Sequence, residues 1–477
     1  MIDWSKFDWS LLGPEITLFA TAISILVIDL FLPKGKDRTI LGWLGVIGLI
    51  IGFITTLTLK SGEIFGGMFV IDKLAIFSKQ LLLAITGLVI LSSLAYVKKL
   101  PSNQGEYYYL LVLATMGMLF MTSCAEFISI FISLELASLS CIILTGYLKK
   151  DPKSCEAGVK YLLFGVLSSA ILLYGISFLY GLTGSTFLKD ISPDSLSPIV
   201  LLSIVLLMAG FGFKIATAPF HMWVPDTYEG APTPITTYLA TASKLAGFVV
   251  ILRVFLVCFV DIKVDWLPLM AVLSVLSMGL GNLCALPQTN IKRMLAYSSI
   301  AHAGYILIGL AVTTELGIGS IILYLLVYSL ASLGAFLVVI AFSNQTGTDE
   351  ISDYAGLWKR APLLALAMLL SLVSMAGIPP LAGFIGKFYL FAGAIKQGLI
   401  WLPVMGVLFS VVSVYYYFTV VKVMYLKPPV DTTPIAISKS LGIGIFIAVI
   451  SIIVIGIYPA PFLNCAIFAI KSFFVGN

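Results

Sequence analysis

The chain has 477 residues, 60% of them hydrophobic and 11% charged, with a mean hydropathy of +1.08. Soluble domains carry roughly 25% charged residues, so water-soluble classes are excluded and an all-α polytopic membrane protein is expected. The net charge of +5, from 28 basic and 23 acidic residues, is too mild for a nucleic-acid partner and reads as a bias among loops.

A crossing takes about 20 apolar residues. In chain order, apolar windows fall at 11–32, 41–59, 74–97, 107–125, 127–148, 161–182 and 199–219, then at 232–259, 266–286, 291–312, 316–342, 363–395, 401–426 and 440–463. MIDWSKFDWS lacks the basic n-region of a cleaved signal peptide, so the first window is expected to stay in the mature chain. Fourteen windows put both termini on one side. With the first loop inside, sixteen Lys and Arg residues, including Lys34, Lys36, Lys153 and Lys160, face the cytoplasm and seven, including Lys6, face out. The positive-inside rule then places both termini outside. Lys79 and Arg253 lie near segment ends and are expected to snorkel.

Two windows cannot be plain helices: FGFKIATAPFHMWVPD, with Pro219 and Pro225, and SMAGIPPLAGFIGKF, with Gly377, Pro379, Pro380 and Gly383. Broken helices at membrane depth need a wet or protein-lined site, so Lys387 is expected at the mouth of a water-filled break. Windows four to eight and nine to thirteen each carry the broken member in fourth place. Two five-helix repeats are the expected layout, inverted because five is odd. The division is then 1–106 (three helices), 107–260 (first repeat), 261–426 (second repeat) and 427–477 (helix fourteen).

Six scattered cysteines show no CxxC spacing, and His221 and His302 are the two histidines. No iron-sulfur, zinc or haem site is signalled, nor a nucleotide loop or nucleophile elbow. The chemistry lies in buried charge. Glu135, nine residues into its window, is the deep acid, and Lys214, Lys244 and Lys387 are the central bases. Each costs about 2.5 to 3.5 kcal/mol to insert. Three lysines cannot all pair with one glutamate, which favours titration over plain interhelical salt bridges. Desolvation lowers a lysine's proton affinity and an approaching carboxylate raises it, whereas arginine would stay charged throughout.

Tyr324 and Tyr328, four apart on one helical face, either orient water or simply pack. His302 is either a relay or a structural hydrogen-bonder. Asp226 and Glu229 are expected to shape a turn and pair with a basic neighbour.

The stretch KIATAPFHMWVPDTYEGAPTPITTYLATASKLAGF resembles the antiporter-like membrane subunits of respiratory complex I. FISLELASL, IKRMLAYSSIAHAGYILIG, YLLVYSLASLGAF and GIPPLAGFIGKFYLFAGAI extend the resemblance from the fourth window onward. The subunit N branch fits best, because Tyr324, Tyr328 and Ser332 stand where sister subunits usually carry histidines and a lysine, and no long lateral helix follows. The resemblance implies a proton-translocating subunit without a redox centre or metal, acting through Glu135, Lys214, Lys244 and Lys387. His302, Tyr324 and Tyr328 are possible relays, and Pro219, Pro379 and Pro380 are the helix breaks. It implies sister antiporter-like subunits, small membrane subunits and lipid as partners, with quinone, NADH, flavin and iron-sulfur clusters held by other subunits. The implied location is an energy-converting membrane, most plausibly a bacterial plasma (inner) membrane. A subunit of a multisubunit Na+/H+ antiporter and a structural spacer are the competing readings. The electron donor, NADH, ferredoxin or another carrier, belongs to subunits encoded elsewhere.

Overall fold

The structure, a computed structural model, describes residues 7–33, 37–100, 104–193, 195–429 and 431–474; Lys6, Lys34 and Lys36 of the loop count lie outside them. It is nearly all helix. The amino-terminal group is α1 (Gly13–Phe31), α2 (Thr39–Thr58) and α3 (Lys73–Val97), with a short hairpin of β1 (Gly62–Ile64) and β2 (Phe69–Ile71) between the last two. Next come α4 (Gln104–Ser123), α5 (Phe127–Thr145), α6 (Pro152–Thr183), α7 (Pro198–Ile215), α8 (Val224–Gly230), α9 (Thr233–Tyr238) and α10 (Lys244–Cys258). A second run holds α11 (Lys263–Ala285), α12 (Ile291–Val312), α13 (Glu315–Thr346), α14 (Leu357–Arg360), α15 (Pro362–Ala376), α16 (Ala382–Lys396) and α17 (Trp401–Leu426). The chain closes with α18 (Lys439–Ile457) and α19 (Ala460–Ile470).

Twelve helices among the described residues are long and apolar enough to cross a bilayer. The 20-residue α4 and the interrupted pair α15 and α16 supply the other two of the fourteen windows. In α12, 94% of the residues of the apolar stretch are buried, against 28% in α17, so α12 is central and α17 peripheral.

Boundaries differ from hydropathy where local chemistry overrides it. Helix α6 starts well before its apolar window, because Asp151 accepts from Lys153 N at 3.1 Å and Pro152 occupies the first turn. Residues 152–160 are therefore helix rather than loop. Helix α18 stops at Ile457, short of Pro459, and a separate helix α19 follows that hydropathy had merged into it.

The two runs share a plan. Gly117 lets α4 approach α5 so closely that a Cβ there would stand 2.7 Å from Ala137 N; Gly281 does the same for α11 on α12, 2.5 Å from Ala301 N. The third long helices, α6 and α13, both have 32 residues and end at glycines of positive φ, Gly184 and Gly347. Just beyond, Phe127 N donates to Thr186 O and Leu188 N to Ala125 O, and in the second run Ile291 N donates to Asp349 O and Ile351 N to Thr289 O.

The breaks also correspond. Helix α7 ends at Ala216 (φ 62°), with Thr217 N donating to Gly212 O at 2.9 Å; α15 ends at Gly377 (φ 86°), with Ile378 N donating to Val373 O at 3.2 Å. Both are left-handed terminations that satisfy orphan carbonyls before the chain turns. Pro219 and Pro380 each follow three residues later.

Candidate functional site

Lys214 occupies the last turn of α7, where the helix C-terminus favours a cation. It is buried, and its Nζ donates to Ser138 Oγ at 3.0 Å. Glu135 lies one turn earlier on α5 and accepts a hydrogen bond from Ser169 Oγ of α6. Glu135 and Lys214 therefore share a neighbourhood without forming an ion pair. The carboxylate is partly exposed on an outward stripe, with Ile132 (61% exposed) and Leu139 (50%) one turn away on either side.

Lys244 follows directly on a π-helical turn, Leu239–Ser243, which offsets the start of α10. Its buried ammonium donates to Ser299 O of α12 at 2.5 Å and lies 6.0 Å from the Tyr328 ring. Gly247, one turn on, makes room for Lys214: a Cβ there would come within 3.3 Å of Lys214 Cγ. Lys214 and Lys244, both in the first run, are thus neighbours through α7 and α10.

His302 sits in the buried centre of α12. Its Nδ1 contacts Tyr324 OH at 2.8 Å, its Nε2 contacts Tyr417 OH at 3.2 Å, and its ring lies 5.0 Å from that of Tyr328. Tyr417 OH also bonds Ser298 Oγ. The three residues His302, Tyr324 and Tyr328 are therefore brought together.

Lys387 reaches back from α16 into the break after α15. Its Nζ donates to Ala376 O at 3.0 Å and Ser410 Oγ at 3.1 Å, and it stands 4.5 Å from the centre of the Tyr305 ring. Gly377 is required twice over, by its φ of 86° and because a Cβ would lie 2.9 Å from Lys387 Cδ. A cavity of about 470 Å³ adjoins the lysine, but Phe384, Phe388, Phe391 and Val411 line it, with Lys387 and Ser410 its polar groups. The break is therefore lined largely by apolar side chains, with Lys387 and Ser410 facing the same space. Among the described residues, no acidic side chain forms an ion pair with Lys214, Lys244 or Lys387.

At one end of the bundle Asp226 and Glu229 of α8 hold Arg293 of α12 at 2.6 and 3.1 Å, while Lys160 binds Asp226 at 2.6 Å and Lys153 binds Glu229 at 2.9 Å. Burial opposes ionisation of both carboxyls, but the bonds from Lys160 and Arg293 to Asp226, and from Lys153 and Arg293 to Glu229, outweigh it and hold both below their usual range. The expected pairing of these two acids with basic neighbours is what the structure has.

Two buried pairs escaped the sequence reading. Lys79 does not snorkel: it is fully buried and lies 2.6 Å from Glu15 in the first turn of α1, itself 1% exposed. Glu15 is therefore a buried acid besides Glu135, placed at the end of its helix rather than mid-window. Arg253 likewise turns inward, its NH1 and NH2 each donating at 3.0 Å to Asp72, the N-cap of α3, and NH2 also donating to Thr122 O. A lysine inside the apolar window 74–97 was the available hint for the first pair; Asp72, at a helix end, offered none for the second.

The profile of the family "NADH:quinone oxidoreductase/Mrp antiporter, TM" matches residues 124–413. NADH-quinone oxidoreductase subunit N of Desulforamulus reducens is 45% identical over 474 residues, covering 98% of this chain and 99% of the relative. The chain belongs to the subunit N family of NADH-quinone oxidoreductases. Subunit N of Moorella thermoacetica is 44% identical over 472 residues, with 98% and 99% covered. A chain of respiratory complex I from Thermus thermophilus, solved with bound aureothin, aligns at a TM-score of 0.81 and 31% identity over 94% of this chain and 98% of that one. A chain of the Mrp complex from a Dietzia species has a TM-score of 0.88 at 19% identity, with 98% of each covered, and shares the fold. The stretch matched by the family profile contains Glu135, Lys214, Lys244, His302 and Lys387. Glu15 and Lys79 lie outside it.

Proposed function

We propose that this subunit N family member carries protons through the membrane arm of a quinone-reducing complex, by way of Glu135, Lys214, Lys244 and Lys387. Electron transfer takes place elsewhere: NADH or another donor, flavin, iron-sulfur clusters and quinone are assigned to other subunits, and this chain takes part in the translocase without a redox centre of its own. The observation that carries the reading is the interior row of three buried lysines bonded to hydroxyls and carbonyls but to no carboxylate. An ammonium held only by neutral groups can release its proton when its surroundings change, which a salt-bridged structural lysine resists.

The matching helix layout supports two five-helix units, 107–260 and 261–426, flanked by the helices of 1–106 and 427–477. The odd helix count inverts one unit relative to the other. Lysine and arginine bias supports a bacterial inner membrane orientation with both termini outside. Glu135, with its apolar outward flanks, supports a neighbouring membrane subunit on that face, because a carboxylate turned to lipid is costly. Close identity to subunit N along almost the whole chain favours this reading over a Na+/H+ antiporter subunit, to which the joint family profile and a fold shared at 19% identity point.

The test is proton uptake per electron in liposomes holding the assembled complex. Lys387→Ala should assemble and lose most of its pumping. Normal assembly with wild-type pumping would exclude Lys387 from the path and return the lysines to a structural role.

A further inference from the structure

The hydroxyls around Lys387 and those around His302 meet at one side chain, Asn282 of α11. It is fully buried. Its Nδ2 donates to Met278 O at 2.8 Å and, over a long 3.4 Å, to Tyr305 OH; its Oδ1 accepts from Tyr416 OH at 3.0 Å. A backbone carbonyl can only accept, so the bond to Met278 settles which end of the amide is nitrogen. On one side Tyr305 OH also accepts from Ser410 Oγ at 3.1 Å, and Ser410 in turn accepts from Lys387 Nζ. On the other side the Tyr416 ring lies 4.4 Å from that of Tyr417, whose hydroxyl meets His302 Nε2.

Ammonium, hydroxyl and imidazole groups hand protons along by exchanging one hydrogen bond for another. A carboxamide takes part in the same bonds but does not hand a proton on, because it would have to surrender an N–H proton or hold an extra one on its oxygen. Resting on the proton-translocating reading above, we propose that Asn282 is an insulating link, an amide that holds the Lys387 and His302 hydroxyl chains in register while blocking proton hopping between them.

The first run has a comparable contact but not the same interruption. Met118 follows Gly117 as Asn282 follows Gly281, and the Met118 sulfur accepts from Tyr238 OH at 3.4 Å as Asn282 accepts from Tyr416. A thioether is a weak acceptor with no proton to give. Tyr238 OH also bonds Thr115 Oγ1 at 2.9 Å, a hydroxyl that can relay, so the interruption is a feature of the second run. Passage between His302 and Lys387 then requires Asn282 to turn aside or water to bypass it, which ties that passage to a change in helix packing.

The experiment measures passive proton conductance of the whole complex in liposomes under an imposed pH gradient, without electron flow. Asn282→Asp supplies a carboxyl that can take up and release a proton, and should raise the conductance several-fold; adding Lys387→Met should return it to the wild-type level. Asn282→Leu, equally disruptive to the amide's bonds but unable to relay, should not leak. Wild-type conductance in an assembled Asn282→Asp complex overturns the proposal, as does a leak that survives Lys387→Met or an equal leak from Asn282→Leu. Should Asn282→Asp fail to assemble, Asn282→Ser takes its place: its hydroxyl relays protons, a leak is expected, and its absence overturns the proposal. Failure of the wider reading would look different, because Lys387→Ala would then pump normally, whereas a silent Asn282→Asp beside an inactive Lys387→Ala overturns the insulating link alone.

Discussion

Lys214 and Glu135 are close without touching. Ser138 takes the lysine's hydrogen bond and Ser169 gives one to the carboxylate, so each charge is held by a neutral hydroxyl one helical turn or one helix away from the other. Such an arrangement can switch, because a small shift of α5 against α7 exchanges hydroxyl contacts for a direct pair, and the cost of buried charge makes the difference large. Residues in one such network are non-additive. In complexes carrying Glu135→Gln, Lys214→Met or both, the double variant should lose much less pumping, expressed as free energy, than the two single losses together. Agreement with additivity to within about 0.5 kcal/mol, in complexes shown to be assembled, would mean that the two groups act independently.

At the scale of elements, the breaks are built by close backbone approach as much as by proline. Gly383, at the second residue of α16, lies against the last turn of α15: a Cβ would fall 1.7 Å from Ser374 O, and its amide donates to Ser374 Oγ at 3.1 Å. No side chain can yield there, because the obstacle is main chain. Gly383→Ala must therefore push α16 off α15 and carry Lys387 away from Ala376 O and Ser410. The expected result is reduced assembly of the complex, by a cost of roughly 1 to 3 kcal/mol typical of overpacking, together with a fall in pumping by the complexes that do assemble. Recovery of wild-type yield and pumping would show that the break tolerates a wider opening than its contacts indicate.

Across the whole molecule, the two runs are tied at one end by Arg293 gripping Asp226 and Glu229, with Lys160 and Lys153 completing the cluster. Both acids are held below their usual carboxylate range. A lowered folded-state pKa adds stability that is present above the ordinary range of about 4 and is lost as pH falls through the lowered value. Acidification should therefore loosen this clamp. Each pair is partly solvated, so its worth is on the order of 1 kcal/mol or less. Unfolding followed by tryptophan fluorescence of the purified complex should show a lower Tm for Asp226→Asn with Glu229→Gln at neutral pH, and a smaller drop on acidification than in the wild type. An identical acid dependence in both proteins would assign the clamp no stabilising role.

The sequence by itself determined the class of molecule, the number of crossings, the two interrupted helices and the burial of Lys214, Lys244 and Lys387, though not that of Lys79. The reason is that each rests on quantities summed over neighbours in the chain: twenty apolar residues suffice for a crossing, a proline removes a donor wherever it stands, and a lysine inside an apolar window is conspicuous without knowing its partner. Tertiary structure alone decided what those charges meet. Lys79 found Glu15 across α1 and α3, Arg253 found Asp72 at the head of α3, and Lys214 found Ser138 rather than Glu135. Asn282, neutral and unexceptional in its window, gained a role only because Tyr416 and Tyr305, from two other helices, converge on it. Hydropathy is a property of the segment, whereas a hydrogen bond is a property of two segments at a fixed crossing, and that crossing is set by which residues let the backbones approach, as Gly117 and Gly281 do.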